Sequence, residues 1–128
     1  MTGAASVWVD GALVDIEAAS VSPLDHGLLV GDGVFETLAV YGGVPFAWRR
    51  HHDRLRRSAD GLGLAVPPDA ELRAAAEAVL EANEILDGRL RVTVTGGRPP
   101  WARSAATRLR PSSSPSLPHA SGPRSRMS

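Results

Sequence analysis

Residues 24–37, LDHGLLVGDGVFET, decide how the first half of this chain folds. They place three glycines and three acids, Asp25, Asp32 and Glu36, around a short apolar run. A Walker-type phosphate loop requires a lysine, which the sequence lacks, and a dinucleotide fingerprint must open a helix, whereas GDGVFE opens a β-rich run. The stretch therefore predicts a glycine-shaped turn that enters a strand, and a ligand site on the three acids stays open as the alternative.

The sequence on either side of this stretch predicts strands that are segregated from two helices. Asp10-Gly11 lies between two apolar runs, which is typical of a β-hairpin, and residues 90–95 alternate apolar with polar side chains as a strand does. Residues 49–64 and 67–84 carry apolar side chains at helical spacing. The predicted fold class is α+β, an antiparallel sheet with two helices packed on it.

The last 28 residues differ in character from the rest. Serine, proline and arginine make up 17 of residues 101–128, and no acid occurs among them. Such a composition buries little apolar surface and predicts a disordered segment. The predicted domain therefore spans residues 1–100, followed by a basic tail over 101–128. Two interpretations of the tail stay open: a natural disordered extension, or a segment translated out of frame.

The composition excludes several classes of site. The 128 residues contain no cysteine, which removes disulfides, zinc–thiolate sites and cysteine nucleophiles. All 14 basic residues are arginines and the formal net charge is zero. No run of apolar residues is long enough to span a bilayer, and the N-terminus resembles no secretory signal. We expect a cytoplasmic protein that binds neither membrane nor nucleic acid.

Two arginines are candidate ligands for an anion. Arg54 lies next to an apolar position of the first predicted helix, and its guanidinium suits a phosphate or a carboxylate because it presents paired donors and stays charged. Arg91 shares one face of a strand with Thr93 and Thr95, which is either a solvent face or the wall of a polar cleft. From the residues alone, a solvent-exposed surface position is favoured over a ligand site for both arginines. His51 and His52, being adjacent, point to different sides of a helix and make poor joint metal ligands.

Taken together, these motifs resemble one known family. DHGLLVGDGVFETLAVYGG and HHDRLRRSADGLGL, in this order and spacing, with VWVDGALV before them and RLRVTVTGG after them, are similar to the N-terminal part of the class IV aminotransferases. These pyridoxal-phosphate enzymes include branched-chain aminotransferase, D-amino-acid aminotransferase and aminodeoxychorismate lyase. The resemblance covers about residues 7–99 and implies the fold of their small N-terminal domain.

The resemblance also implies roles for individual residues. Arg54, in HHDRL, corresponds to the arginine that holds the cofactor phosphate. Phe35 corresponds to an aromatic residue of the substrate pocket, and Val30 stands at a pocket position that is often aromatic. Arg91 is the candidate for the arginine that binds the substrate carboxylate. The implied cofactor is pyridoxal phosphate, the implied substrate is an amino acid or aminodeoxychorismate, and a homodimer is the implied assembly.

The chemistry of this family requires a lysine that forms a Schiff base with the cofactor. The sequence contains no lysine, and arginine is a poor substitute because it stays protonated. We therefore expect a chain truncated before the catalytic lysine, with no catalytic residue of its own and no activity alone. The alternative is a non-catalytic orphan domain that binds a protein partner.

Overall fold

The computed structural model describes residues 5–97 and 106–112. Within them the chain forms an antiparallel sheet with helices packed against one of its faces, as the sequence predicted. The elements are, in chain order, β1 (Ser6–Val9), β2 (Ala12–Asp15), α1 (His26–Leu29), β3 (Gly33–Tyr41), β4 (Val44–Pro45), α2 (Trp48–Leu62), α3 (Asp69–Ala82), β5 (Gly88–Thr95) and β6 (Ala106–Ser112). None of the helices in this part of the chain has the length and apolar character that a bilayer span requires.

The six strands of the described residues lie in the order β2-β1-β6-β5-β3-β4. The β1–β2 hairpin turns at Asp10 and Gly11, which both have positive φ angles, 47° and 100°. Such a turn matches the twist of the two strands that it joins. The longest pairing joins β3 to β5 from Gly33↔Thr95 to Val40↔Gly88. This pairing carries most of the residues that the sequence singled out.

The core lies between the sheet and helices α2 and α3. Alternate residues of each strand point into it, because successive side chains of a strand face opposite sides of the sheet. The strands contribute Leu38, Val40, Leu90, Val92, Val94 and Leu109, and the helices contribute Trp48, Leu55, Leu72, Ala75, Ala76, Val79 and Leu80. In the described structure the opposite face of β3 and β5 carries only the short helix α1, at Thr95, and its other side chains are mostly exposed.

Strand β6 lies inside the segment for which the sequence predicted disorder, and here the structure differs from that expectation. Over these seven residues the chain pairs with β5 from Arg89↔Ser112 to Thr95↔Ala106, and with β1 at Trp8↔Leu109. Leu109 is fully buried in the core. The composition of the tail did not indicate this strand, because only one large apolar side chain of the strand, that of Leu109, joins the core. Leu109 does so in register with Val92 and Trp8. The other residues of the predicted tail lie outside the described residues.

Two local features join the sheet to the helices. The strand that returns after Gly42-Gly43 is only Val44–Pro45, because α2 already begins at Trp48. Asp69 lies in the first turn of α3, and Pro68 holds the cap position. The carboxylate of Asp69 accepts a hydrogen bond of 2.8 Å from the indole Nε1 of Trp48. That bond ties the start of α3 to the start of α2.

Candidate functional site

The stretch at residues 24–37 forms a turn that is docked on the end of β5. Asp25 is buried and caps α1, accepting a 2.7 Å hydrogen bond from the backbone N–H of Gly27, and its second oxygen accepts one of 3.2 Å from the Thr95 hydroxyl. The backbone N–H of His26 donates to the Gly97 carbonyl at 2.7 Å. A Cβ at Gly27 would lie 2.5 Å from Cγ2 of Thr95, so only glycine permits this approach.

The three acids of this stretch do not converge on a metal. Asp25 faces Thr95, Asp32 lies near His26 at 3.8 Å, and Glu36 points into the helix-covered side of the sheet. Within residues 5–97 and 106–112, no three histidine or acidic side chains are arranged to hold a metal ion. Of the two interpretations that the sequence left open, the described structure supports the turn.

Glu36 is the centre of a charged cluster that involves the predicted phosphate ligand. Arg54 donates twice to its carboxylate, from Nε to Oε2 at 2.9 Å and from Nη2 to Oε1 at 2.8 Å. His51 Nδ1 lies 2.7 Å from Oε1. One turn of α2 thus places both basic side chains against a carboxylate of β3, since residues three apart on a helix are neighbours.

The electrostatics of the cluster favour the charged forms of Glu36 and Arg54. Burial raises the pKa of Glu36, but hydrogen bonds and positive charge from Arg54 and His51 outweigh burial and lower that pKa overall. The hydrogen bonds and charge of Glu36 raise the pKa of Arg54 further. Because an ionised carboxylate only accepts hydrogen bonds, the contact with His51 places the proton on Nδ1.

Arg54 keeps donors that the protein does not use. Its Nε and one N–H of Nη2 bind Glu36, and within the described residues neither Nη1 nor the second N–H of Nη2 has a partner. The side chain is 59% exposed although its carboxylate partner is buried. A guanidinium held along one edge and open along the other matches the paired oxygens of a phosphate.

Phe35 and Arg91 meet on the other face of the sheet. The guanidinium of Arg91 lies over the ring of Phe35, 3.9 Å from its centroid. The β3–β5 register brings them together, because Phe35 pairs with Thr93, two residues from Arg91. Both side chains are exposed, Phe35 to 53%. A cation over an aromatic ring here forms an amphipathic surface that suits a ligand with a carboxylate and an apolar part.

The structure joins some of the predicted site residues and separates others. Phe35 and Arg91 are in contact, whereas Arg54 lies across the sheet from them because Phe35 and Glu36 are consecutive residues of one strand. Val30 ends α1 and is 70% exposed. Its backbone N–H donates to the carbonyl of His26 at 3.0 Å, which fixes the turn that leads into β3.

Sequence reasoning missed Glu36 as the partner of Arg54 and His51 as a second partner of Glu36. It treated Glu36 only as a candidate metal ligand and gave His51 no contact with Glu36. A signal was present: Glu36 alternates with Phe35 and shares the period of Leu38 and Val40, which places an acid among core positions. A buried carboxylate requires a cationic or hydrogen-bonding partner, and the sequence of α2 contains several arginines and two histidines.

His52, the next residue after His51, has a different environment. It is 1% exposed, stacks on Trp48 with ring centroids 6.1 Å apart, and has no hydrogen bond from the described residues at either ring nitrogen. Asp69 is its nearest acid, at 3.6 Å from Nδ1. A cavity of about 10 Å³ beside it, also lined by Glu36 and His51, has room for one water molecule at most. His52 therefore acts as a packing residue.

Comparison with known proteins identifies the family of this chain. The sequence model of the family described as "Amino-transferase class IV" matches residues 33–124, a range that includes β6. A D-alanine aminotransferase of Listeria monocytogenes is 39% identical over 92 residues, and an aminodeoxychorismate lyase of Bacillus subtilis is 35% identical over 94 residues. Each match covers 71% of this chain and 32% of the relative, so the chain spans about a third of the length of these relatives.

Solved structures agree with the sequence comparison. The branched-chain aminotransferase of Thermoproteus uzoniensis, solved with norvaline, superposes with a TM-score of 0.74 at 34% identity over 86% of this chain and 41% of that one. A second branched-chain amino acid aminotransferase, from T.th. and in complex with N-(5'-phosphopyridoxyl)-L-glutamate, gives a TM-score of 0.75 at 26% identity over 85% and 40% of the two chains. Sequence motifs, fold and relatives agree, and the chain belongs to the class IV aminotransferase family.

Proposed function

We propose that these residues form the small N-terminal domain of a pyridoxal-phosphate enzyme, either an aminotransferase acting on amino acids or an aminodeoxychorismate lyase. The names of the relatives support both activities, and the branched-chain aminotransferase solved with a phosphopyridoxyl ligand supports the cofactor. The domain comprises residues 1–100 together with β6. The comparisons favour this assignment over a non-catalytic orphan domain.

The observation that carries the proposal is the fixed and half-exposed guanidinium of Arg54. Its Nη1 and the second N–H of Nη2 are open while Glu36 holds the opposite edge. A dianionic phosphate binds best to positive donors that are already oriented. The donor set therefore fits the phosphate of pyridoxal phosphate, and Arg54 is the residue of this chain that would hold it.

Phe35 and Arg91 form the substrate-facing part of the proposal. Arg91 offers a permanent positive charge to a substrate carboxylate, and the ring of Phe35 beneath it offers an apolar surface to the rest of the molecule. Val30, exposed at the end of α1, adds an aliphatic surface where a larger aromatic side chain would narrow the pocket. We assign these three residues to substrate recognition.

The cofactor supplies an electron sink for the α-carbon of the substrate, and it is anchored and activated through a lysine. The 128 residues contain no lysine. We therefore propose that this chain contributes phosphate binding and a substrate surface but no proton-transfer group. It is then inactive alone, and the lysine of the reaction comes from outside these residues.

The test compares two ligands that differ only in the phosphate. Pyridoxine 5'-phosphate and pyridoxine lack the aldehyde, so neither forms an imine with the chain. Their dissociation constants are measured by fluorescence titration. The dissociation constant of pyridoxine divided by that of pyridoxine 5'-phosphate is a ratio that reports the contribution of the phosphate to binding. We expect Arg54→Gln to lower this ratio roughly 10- to 100-fold, because hydrogen bonds between charged groups contribute that much.

The matched control is Arg57→Gln on the same helix. Arg57 is exposed and has no hydrogen bond or ion pair within the described residues, so its removal tests nonspecific attraction alone. The proposal is supported when Arg54→Gln lowers the ratio and Arg57→Gln leaves it within about twofold, since distant surface charges are largely screened. A ratio near one in the unmodified chain, or equal losses in both variants, would overturn it.

A further inference from the structure

Arg54, the residue proposed to hold the cofactor phosphate, is paired with Glu36, and Glu36 in turn contacts His51. We propose that Glu36, together with His51, is a positioning residue that holds the guanidinium of Arg54 so that its open edge meets the cofactor phosphate. This inference rests on the proposed function, since it presumes that Arg54 binds that phosphate. It concerns a carboxylate that the sequence presented only as a candidate metal ligand.

The geometry of the contact selects one edge of the guanidinium. The two carboxylate oxygens of Glu36 accept separate hydrogen bonds from Arg54, one from Nε at 2.9 Å and one from Nη2 at 2.8 Å. This two-point pairing fixes both the plane and the rotation of the guanidinium. The occupied edge contains Nε, and the edge formed by Nη1 and Nη2 faces away from Glu36. An arginine without this pairing would lose more rotamer entropy on binding a ligand.

The anchor itself is rigid. Glu36 lies within β3, whose register with β5 runs over eight residue pairs, and its carboxylate is buried between strand and helix. His51 occupies Oε1 from a second direction at 2.7 Å, so the carboxylate cannot turn away without losing that hydrogen bond. Three hydrogen bonds on two oxygens hold the acceptor while only one of the three groups, Arg54, is largely exposed.

A role for Glu36 through charge alone predicts the opposite effect on phosphate binding from a role in positioning Arg54, so one substitution can distinguish the two. Glu36 carries a negative charge next to the expected position of the phosphate. If only charge mattered, Glu36→Gln would strengthen phosphate binding, because a repelling group is removed. If Glu36 positions Arg54, the same change weakens binding. The direction of the effect therefore separates the two roles.

The experiment uses the same ratio of dissociation constants for pyridoxine and pyridoxine 5'-phosphate. We expect Glu36→Gln to lower the ratio about 3- to 10-fold, in line with the cost of ordering one long side chain. His51→Phe should lower it less, because Arg54 keeps both of its contacts. Asp53→Asn is the charge control, because Asp53 is exposed beside Arg54 in the sequence and has no ion pair within the described residues; it should leave the ratio unchanged or raise it slightly.

A second measurement needs no substitution at Glu36. In the unmodified chain the Nε–H of Arg54 should exchange with solvent at least about 10-fold more slowly than that of Arg57, because only the former is hydrogen-bonded. An unchanged or higher ratio in Glu36→Gln, or equal exchange of the two arginines, overturns the positioning role. If Arg54→Gln lowers the ratio and Glu36→Gln does not, the proposed function stands and only this inference fails.

Discussion

The two faces of strand β3 place adjacent residues in different environments, one buried under a helix and one exposed. On the helix-covered face Glu36 holds a buried carboxylate between Arg54 and His51, and the strand continues with Leu38 and Val40 in the core. On the opposite face Phe35 lies exposed under Arg91. The first face has its charges paired inside the protein, while the second leaves a cation and a ring exposed to solvent.

The difference shows how one strand can combine stability with a binding surface. Side chains alternate across a strand, so a single residue step changes the environment from core to surface. Charges on the covered face need partners because burial penalises them. Those on the open face need none, and they stay available to a ligand.

The largest effect should come from β6, the strand that lies between β1 and β5 in the sheet. Leu109→Ala removes a fully buried side chain of β6, and we expect a loss of about 2–5 kcal/mol in the free energy of unfolding. Leu28→Ala is the matched control, because Leu28 is 67% exposed and its loss should stay within about 0.5 kcal/mol. Urea denaturation measures both. Equal effects would show that β6 is not part of the stable sheet.

A smaller effect should follow from removing the charge of Glu36. We expect Glu36→Gln to lower the free energy of unfolding by about 1–2 kcal/mol at neutral pH, less than for a fully buried pair because Arg54 is 59% exposed. The pKa of Glu36 is lowered in the folded state, so its contribution is present above the pKa of an unfolded glutamate and is lost as pH falls through the folded value. The difference between the two proteins should therefore vanish in acid.

Measuring the unfolding free energy from neutral pH to pH 3 checks this sign. Asp69, whose pKa is also lowered, mainly by the Trp48 indole, titrates in both proteins and so cancels in their difference. A difference that stays constant or grows toward acid pH would contradict the charged cluster on the covered face.

The next effect should have the opposite sign. In the part of the chain that the structure describes, His52 is buried without a hydrogen bond at either nitrogen, in contrast to His51 beside it. Replacing a buried polar group that lacks hydrogen-bond partners with an apolar one removes an unfavourable burial, so His52→Leu should raise the free energy of unfolding by up to about 1 kcal/mol. His51→Leu, which removes a real hydrogen bond, should lower it. Thermal melts of the two variants distinguish these outcomes, and a large loss in His52→Leu would reveal a hidden partner.

The sequence predicted the faces of the sheet better than the contacts across it. The alternation of Leu90, Val92 and Val94 and the hairpin at Asp10-Gly11 are local patterns, and the structure confirms both. The pairing of Glu36 with Arg54 joins residues 18 positions apart, and no periodicity within either element contains it. The fold class was predictable because each element carries its own pattern, whereas the cluster depends on how α2 packs on β3.

Strand β6 was missed for a related reason. Its pattern is short, and its partners β5 and β1 lie far away in the sequence, so composition outweighed the single apolar residue Leu109. The candidate site was predicted only as separate residues. The resemblance indicated Arg54, Phe35, Val30 and Arg91, and the register between β3 and β5 shows why Phe35 and Arg91 meet while Arg54 does not join them.

The smallest predicted effect concerns the open face. Arg91 over the ring of Phe35 is an exposed cation–π contact, which contributes about 0.5–1 kcal/mol at most. We expect a double-mutant cycle of Phe35→Leu and Arg91→Gln to give a coupling energy of about 0.5 kcal/mol in urea denaturation, since solvent competes for the guanidinium. The matched cycle pairs Phe35→Leu with Arg89→Gln. Arg89 is exposed, lies in β5 as Arg91 does, and pairs with Ala39 of β3. Its coupling should be near zero, and equal couplings would mean that the Phe35–Arg91 contact does not persist in solution. A weak coupling that is specific to Arg91 is what a binding surface requires, because a guanidinium held firmly by the protein would have less to offer a ligand.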